Sequence, residues 1–589
     1  MCGIFFSCSQ KEHEVPSEKL LDDLRKRGPD SVGTRSRTAP LERTITQLES
    51  KEQTCNLKFV STVLSLRGEC IIGQPLEDSK SGSLLCWNGE AWRISNDIVQ
   101  GNDAEAVFSL LLNAAQSCNV NASDGLSSYD QSKQNILKTI ATITGPYAFI
   151  FFDAQSDRVF YGRDALGRRS LLVKSYGVGS LGISSVSDAT DTHGWMEVEA
   201  DGIHMLDLRA SLVSSSHGAN RTTHVPWAAD LKPDLPYHLT YPFPTLNKDD
   251  SNIHNQILTL NSPAVDQLYQ RLQSSLAIRM FKIPIPPSKE AAPARVAIMF
   301  SGGLDCTLLA AIIHSILPKW QEIDLLNVAF ENPRVVQAAA AANARNPPAA
   351  NSAYALCPDR ITGLSSHAEL LKTLPERTWR FVSINVPYAE TQAHRSNTIS
   401  LIHPHNTEMD LSIACALYFT ARGSGFITDT STSLDIPYTT PARVLLSGLG
   451  ADELFGGYTR HNTAFDRRGY KGLADELELD FNRLGKRNLG RDDRVISHWG
   501  KEVRYPYLDE DLVSWALSIP MWEKCGFGQV SNAEETDSPT LEPGKKVLRL
   551  LAWRLGLRVA AAEKKRAIQF GARTAKMEAG KTKGTQNLS

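Results

Sequence analysis

Short apolar runs bounded by Gly, Asp or Asn dominate the first two hundred residues of the chain. Those at 59–66, 83–87, 147–152, 158–161 and 202–207 have the length and the punctuation of strands. Helical periodicity at 17–26 and 103–117 interleaves with them. Strands at this density predict packed sheets with helices on the outer faces. From 211 to 262 the pattern breaks up into polar, proline-bearing sequence such as Lys232-Pro233-Asp234 and Tyr241-Pro242-Phe243-Pro244, which reads as a linker or extended arm. Beyond it the texture changes. Amphipathic segments at 265–281, 307–317, 410–422, 508–518 and 545–555 alternate with apolar strands at 295–300, 324–330 and 444–446. That alternation predicts a parallel α/β sheet.

The expected organisation is a first domain over 2–210, a linker over 211–262, a second domain over 263–578 and a disordered tail over 579–589. Two stretches read as insertions. Residues 335–353 are Ala/Asn/Pro-rich and fit either a helix or a disordered loop, and 528–541 fit an acidic surface loop.

Composition narrows the class. An apolar fraction of 42% and a charged fraction of 22% over 589 residues are those of an ordinary globular protein. A net charge of −2 provides no field for nucleic acid or a membrane surface, so neither is expected as a partner. No run of eighteen apolar residues is present, and the polar stretch from Gln10 to Glu14 does not fit a signal peptide. Ten scattered cysteines with no C-x-x-C pair fit neither zinc nor a disulfide framework. A reducing, cytoplasmic compartment is expected.

Against that background Cys2, in Met1-Cys2-Gly3-Ile4, gains weight. With Met1 removed, Cys2 carries a thiol and a free α-amine on one carbon. An α-amine titrates at roughly 7.7–8.0, so it can serve as base for its own thiol, the N-terminal form of a nucleophile–base pair.

A second candidate site follows the strand at 295–300. Ser301-Gly302-Gly303-Leu304-Asp305-Cys306 is a glycine turn opening a helix, where backbone amides and the helix N-terminus favour an anion. No lysine follows, so this is not the G-x-x-x-x-G-K-[ST] phosphate loop. A second strand ends in Ser447-Gly448-Leu449-Gly450-Ala451-Asp452-Glu453. In an open α/β sheet, ligands bind beyond the carboxyl ends of strands. Asp305 and Asp452 are therefore placed to flank one metal–triphosphate site.

Taken in order, these motifs resemble the glutamine-hydrolysing asparagine synthetases. The resemblance rests on Met1-Cys2-Gly3-Ile4, Arg27-Gly28-Pro29-Asp30, Gln74-Pro75, Trp87-Asn88-Gly89-Glu90, Asp103-Ala104-Glu105 and Gly162-Arg163-Asp164-Ala165-Leu166-Gly167. It continues through 301–306, 447–458 and 501–509, and spans 2 to about 577 outside the insertions. Further marks at 358–363, 448–461, 487–494 and 564–571 are similar to a subgroup of that family, the asparagine synthetase domain-containing proteins.

The resemblance implies an α/β fold in two parts: an αββα amidotransferase domain of the N-terminal-nucleophile type, then a parallel-sheet domain like the adenine-nucleotide α-hydrolases. It implies that Cys2 attacks the glutamine amide, that Asn88 and the Gly89 amide stabilise the oxyanion, and that Glu90, Asp103 and Arg67 bind glutamine. Ammonia then passes inside the protein to the second domain. Met299, Ser301, Gly302, Gly303, Leu304, Asp305, Cys306, Val328, Ser447, Gly448, Lys565 and Arg566 are implied for ATP, and Asp305 and Asp452 for Mg2+. Glutamine and aspartate, or another carboxylate, are the implied small-molecule partners, and a homodimer is a compatible assembly.

Three positions depart from the family pattern. Val63 stands where the family has an arginine eleven residues before Gln-Pro, with Arg67 at a different offset. Cys306 replaces a serine at the end of the phosphate loop. Leu449 replaces a glutamate between two glycines, and leucine can neither take a proton nor position ammonia. Three readings follow: asparagine synthesis, the same chemistry on another carboxylate, or a scaffold that keeps glutamine or ATP binding only. The intact Cys2 and phosphate loop speak against the scaffold, and Leu449 speaks against asparagine. His403 and His405, Trp499 and Trp515, and Cys306 read as structural.

Overall fold

Ile4, Phe6 and Cys8 stand at alternate positions of the strand Gly3–Ser9, which is buried throughout, and all three enter one apolar core. That core lies between two sheets, antiparallel but for the parallel pairing of 239–240 with 222–228. In the first, the strand order is 196–197, 172–177, 180–184, 3–9, 54–63, 31–40. In the second it is 239–240, 222–228, 202–207, 158–163, 147–153, 84–89, 76–77. Leu84, Cys86, Ile150, Phe152 and Val159 face Phe6 and Phe59 across the gap. Leu85, Trp87, Phe149 and Phe151 point the other way, onto the helices Asp103–Gln116 and Ser128–Ala141. This is the period-two division of a sheet buried on both faces. The helix Glu18–Arg27, capped by the Ser17 hydroxyl, covers the first sheet, where Leu24 abuts Gly3 and Thr62. The layers run helix, sheet, sheet, helix, as expected for the N-terminal part.

The computed structural model describes residues 2–10, 15–40, 54–117, 128–177, 179–209, 222–228, 239–249, 257–286, 293–342, 352–429, 431–529, 541–577 and 583–588. They form two units. One comprises Met1–Pro242 with Ser400–His405 and Leu484–Gly500; the other comprises Phe243–Ile399, Asn406–Arg483 and Lys501–Ser589.

The second unit is built on one seven-stranded sheet, ordered 435–439, 424–428, 379–386, 323–330, 296–299, 444–446, 502–504. Its last five strands are parallel, as the alternation of strands and helices predicted. The first two form an antiparallel hairpin on its edge, which the apolar pattern did not show. Ile323–Phe330 is buried at every position, the mark of a central strand covered on both faces. Among the described residues, no helix is long and apolar enough to cross a membrane.

Three boundaries are corrected. The stretch read as a linker contains the strand Thr222–Ala228, which pairs antiparallel with Gly202–Asp207, so the first unit runs on to Pro242 rather than ending at 210. Two later segments, 400–405 and 484–500, complete that unit, which no local pattern could reveal. The tail read as disordered is partly ordered. Gln586 and Gly584 offer carbonyls to the Glu408 and Met409 amides at 2.9 Å, filling otherwise open donors at the start of the helix Glu408–Arg422. Of the two insertions, Pro333–Ala342 is helical, while 343–351 and 530–540 lie outside the described residues.

Candidate functional site

Cys2 opens the strand Gly3–Ser9 and is 8% exposed. Its backbone is held on several sides. The Cys2 nitrogen donates to Asn88 Oδ1 at 2.9 Å, and Arg27 Nε donates to the Cys2 carbonyl at 3.2 Å. The next two amides donate to the Thr62 and Ser185 hydroxyls, each at 3.0 Å. Gly3 permits this packing, since a Cβ there would lie 2.6 Å from Thr62 Oγ1. Arg27 is fully buried and anchored by Asp493 at 2.8 Å and by Ser497. Arg27 and Asp493 both stand in motifs singled out from the sequence, but only the fold joins them behind Cys2.

Asn88 is fully buried near the end of the strand Leu84–Gly89. Its Oδ1 is used by Cys2, while its Nδ2 is buried with no hydrogen-bond partner among the described residues. A buried open donor costs about 1–3 kcal/mol, and this one is available to a ligand oxygen. Gly89 follows, where a Cβ would lie 2.4 Å from the Pro146 carbonyl oxygen.

The fold brings Arg67, Glu90 and Asp103 to the same neighbourhood. Arg67 Nη1 is 3.6 Å from Glu90 Oε2, and the guanidinium donates to the Ala91 and Val99 carbonyls at 2.9 and 2.6 Å. Asp103 Oδ2 accepts from Trp87 Nε1 and the Ala91 amide, each at 2.9 Å. Burial pushes the Asp103 carboxyl up, against the pull of Arg67 and of those two donors. Asp103 thus ties down the turn that carries Asn88, Gly89 and Glu90. A guanidinium beside two carboxylates suits an α-amino acid, which has one charge of each sign to place.

In the second unit the strand Val296–Met299 passes through Ser301, Gly302 and Gly303 into the helix Leu304–Ile316. Gly302 has φ +79°, and a Cβ there would lie 2.5 Å from Gly363. Its carbonyl accepts from Ser366 Oγ at 2.6 Å, and Ser301 Oγ accepts from the Gly303 amide at 3.3 Å. Gly448 lies against the same turn, its absent Cβ 2.8 Å from that of Asp305. Ser447 takes the Leu449 amide at 3.3 Å, while Val328 and Leu304 are buried. Cys306 is buried, its thiol pushed up by burial and donating to the Gly303 carbonyl at 3.3 Å.

Beside this loop four charges interlock. Lys545 Nζ reaches both Asp305 oxygens at 2.8 Å and Asp452 Oδ1 at 2.9 Å, and Lys565 donates to Asp452 Oδ2. Burial raises the Asp452 carboxyl, but the two lysines outweigh it and hold the group well below the usual carboxylate range. Burial and Asp452 push Glu453 up, and Tyr458 donates to Glu453 Oε1 at 2.6 Å. Asp305 and Asp452 do converge, as expected, but through Lys545, which was read from sequence only as the start of a helix. Its backbone is left-handed, φ +55°, a feature that no sequence pattern signalled. Two carboxylates and two ammonium groups beside an anion-binding turn fit a metal–polyphosphate: the carboxylates suit Mg2+ and the lysines suit phosphate oxygens.

Arg566 does not join this quartet; it donates to Thr362 Oγ1 at 2.8 Å and pairs with Glu563 at 2.9 Å. Nearby, Asp359 is 8% exposed, and burial pushes its carboxyl up to about 7 despite Arg566 and Lys565. Gly571 leaves room for it, since a Cβ there would lie 2.1 Å from Asp359 Oδ1. The motifs at 358–363 and 564–571 therefore lie together; sequence assigned Lys565 and Arg566 of the second to ATP but did not show that it meets the first.

The sequence matches the family model described as asparagine synthase over residues 438–475 and 465–552. It is 33% identical to asparagine synthetase domain-containing protein 1 of Bos taurus, covering 98% of this chain and 95% of the relative. The protein of the same name from Homo sapiens is 32% identical, with 98% and 95% covered. A putative asparagine synthetase [glutamine-hydrolyzing] 1 of Methanocaldococcus jannaschii is 47% identical over 16% of this chain and 17% of its own. With such identity sustained over nearly its whole length, the chain belongs to the family of asparagine synthetase domain-containing protein 1.

Proposed function

We propose that the chain is a glutamine-hydrolysing, ATP-dependent amide synthetase that makes asparagine from aspartate through a β-aspartyl-AMP intermediate. The observation that carries this reading is the pairing of the Cys2 nitrogen with Asn88 Oδ1 while Asn88 Nδ2 stays open. With Cys2 as the first residue of the mature chain, its α-amine takes the thiol proton and the thiolate attacks the glutamine side-chain carbonyl. Asn88 Nδ2 and the Gly89 amide stabilise the oxyanion, a service that fixed donors perform without reorganisation. Ammonia leaves, and water releases glutamate from the thioester. Arg67 and Glu90 orient the amino acid by its two charges.

In the second reaction, the acceptor carboxylate attacks the α-phosphate of ATP, pyrophosphate departs, and ammonia displaces AMP. The turn at 301–306 holds phosphate through its amides, and Lys545 and Lys565 neutralise charge that grows on the departing oxygens. Mg2+, held by Asp305 and Asp452, would supply further charge neutralisation on the phosphates. Leu449 favours a second reading, the same chemistry on a different carboxylate, since its side chain offers no proton acceptor.

The full chain, with removal of Met1 verified by mass, is incubated with glutamine, ATP, Mg2+ and aspartate and scored for glutamate and pyrophosphate. Asparagine synthesis requires both products, with pyrophosphate dependent on aspartate. Glutamate without aspartate-dependent pyrophosphate rejects aspartate as acceptor and leaves the second reading. Neither product means a scaffold. Glutamate formation that persists in Cys2→Ala rejects the nucleophile.

A further inference from the structure

A row of three rings crosses the second sheet of the first unit. Tyr161 is opposite His204 in one antiparallel ladder, and His204 is opposite His224 in the next. Directly opposed residues project on the same face with Cβ atoms about 4.5–5.5 Å apart. The Tyr161 and His204 rings stack at 5.1 Å and 14°, which fixes the His204 imidazole from one side. The His204 and His224 centroids are 4.9 Å apart on the other.

Asp201, just before the strand Gly202–Asp207, brings Oδ1 to 3.1 Å from His224 Nε2. Gly202 makes the room, since a Cβ there would lie 2.4 Å from that nitrogen. One donor atom from each of Asp201, His204 and His224 lies within 4.8 Å of the other two. His204 Nε2 is buried and has no hydrogen-bond partner among the described residues. An imidazole with an open nitrogen, grouped with a second imidazole and a carboxylate, calls for a cation.

We propose that Asp201, His204 and His224 bind a divalent transition-metal ion of the zinc class. Two imidazoles and one carboxylate are the donor set of such ions, whereas calcium and magnesium prefer oxygen alone. Tetrahedral zinc with ligand bonds of roughly 2.0–2.1 Å needs donor atoms about 3.3 Å apart. The Asp201–His224 pair already meets that spacing. The remaining closure falls on the Asp201 and His224 side chains, which are 52% and 37% exposed and free to change rotamer. A fourth position remains for water.

The bound ion joins Thr222–Ala228 to its neighbouring strand, in the stretch that reads as a linker by sequence. An ion that binds only the folded chain stabilises it by mass action.

The test uses the full chain stripped with chelator and titrated with Zn2+ alone, by calorimetry and by thermal melting. The wild type binds one equivalent that His224→Asn lacks or holds at least tenfold more weakly, and zinc raises the melting temperature of the wild type but not of the variant. Asp201→Asn, the more exposed change, gives the same loss if His224→Asn folds poorly. Zinc binding and melting shifts that are equal in wild type and both variants place the ion elsewhere and overturn the site. So does the absence of zinc binding at millimolar concentration.

Discussion

The two candidate sites solve opposite electrostatic problems. Around Cys2 the hydrogen-bonding partners are mostly neutral, with Arg27 on its carbonyl, and one donor, Asn88 Nδ2, is buried and unspent. Around Asp305 the groups are charged, and each carboxylate of the pair already holds a lysine. An oxyanion that exists only briefly is best met by a donor held open in advance. A metal–polyphosphate carries charges of both signs, so a site of the kind proposed for it can satisfy itself beforehand by pairing its own ions. The first site therefore stores an unpaid desolvation, and the second stores none until it is disturbed.

The charged site is where disturbance costs most. Lys545→Met leaves Asp305 and Asp452 facing each other without their shared cation, while Asp452 keeps Lys565. Removing one partner of a buried pair typically costs about 3–5 kcal/mol, and a loss of that order is expected in urea unfolding of the full chain. A variant as stable as wild type at pH 7 means that the lysine bridge contributes little and that the contrast between the sites fails.

The neutral site answers differently. Asn88→Ala removes the open Nδ2 donor and also the Oδ1 that accepts from the Cys2 nitrogen, so a stability loss of about 1–3 kcal/mol, smaller than that of Lys545→Met, accompanies the fall in glutamine hydrolysis. Losing one oxyanion donor costs about 10²–10³ in kcat, with KM nearly unchanged because Arg67 and Glu90 still hold the amino acid. A fall confined to KM would move Asn88 from oxyanion support to substrate binding.

How far each site was legible in advance follows the same divide. Cys2, Asn88 and Glu90 could be singled out as candidates because the proposed roles attach to residue type within short motifs, which lie on or beside the strands Gly3–Ser9 and Leu84–Gly89. The turn at 301–306 was readable for the same reason. Lys545 was not, because its place arises from a left-handed backbone at a helix start and from partners far away in sequence, Asp305 and Asp452. Arg27 and Asp493 were quoted as motif residues, yet their pairing spans 466 positions. The strand at 222–228 was hidden by the polar sequence around it; a sheet neighbour, not its own hydrophobicity, makes it a strand. Local chemistry was visible, and long-range pairing was not.

Asp359 refines the comparison, because it is a charge-bearing group of the second unit that behaves like the open donor of the first. It is nearly buried, and no described side chain or amide donates to its carboxyl, although Arg566 and Lys565 act on it at a distance. An unfolded aspartate ionises near 3.9, whereas burial moves this one to about 7. Between those values the folded chain keeps a proton that the unfolded chain has released, so stability falls as pH rises through the window, and the loss is complete above it. Three units correspond to about 4 kcal/mol, and rearrangement of Arg566 toward the ionised group takes up part of that. Asp359→Asn cannot ionise and escapes the penalty. Relative to wild type it should gain about 2 kcal/mol between pH 4 and pH 8, read from urea midpoints at each pH. A gap that does not widen with pH means the carboxyl is already paired, and would return Asp359 to the self-satisfied class of Asp305 and Asp452. A widening gap marks it as a second vacancy beside the phosphate turn, kept open at a measurable cost in stability, which is what a group reserved for a ligand looks like.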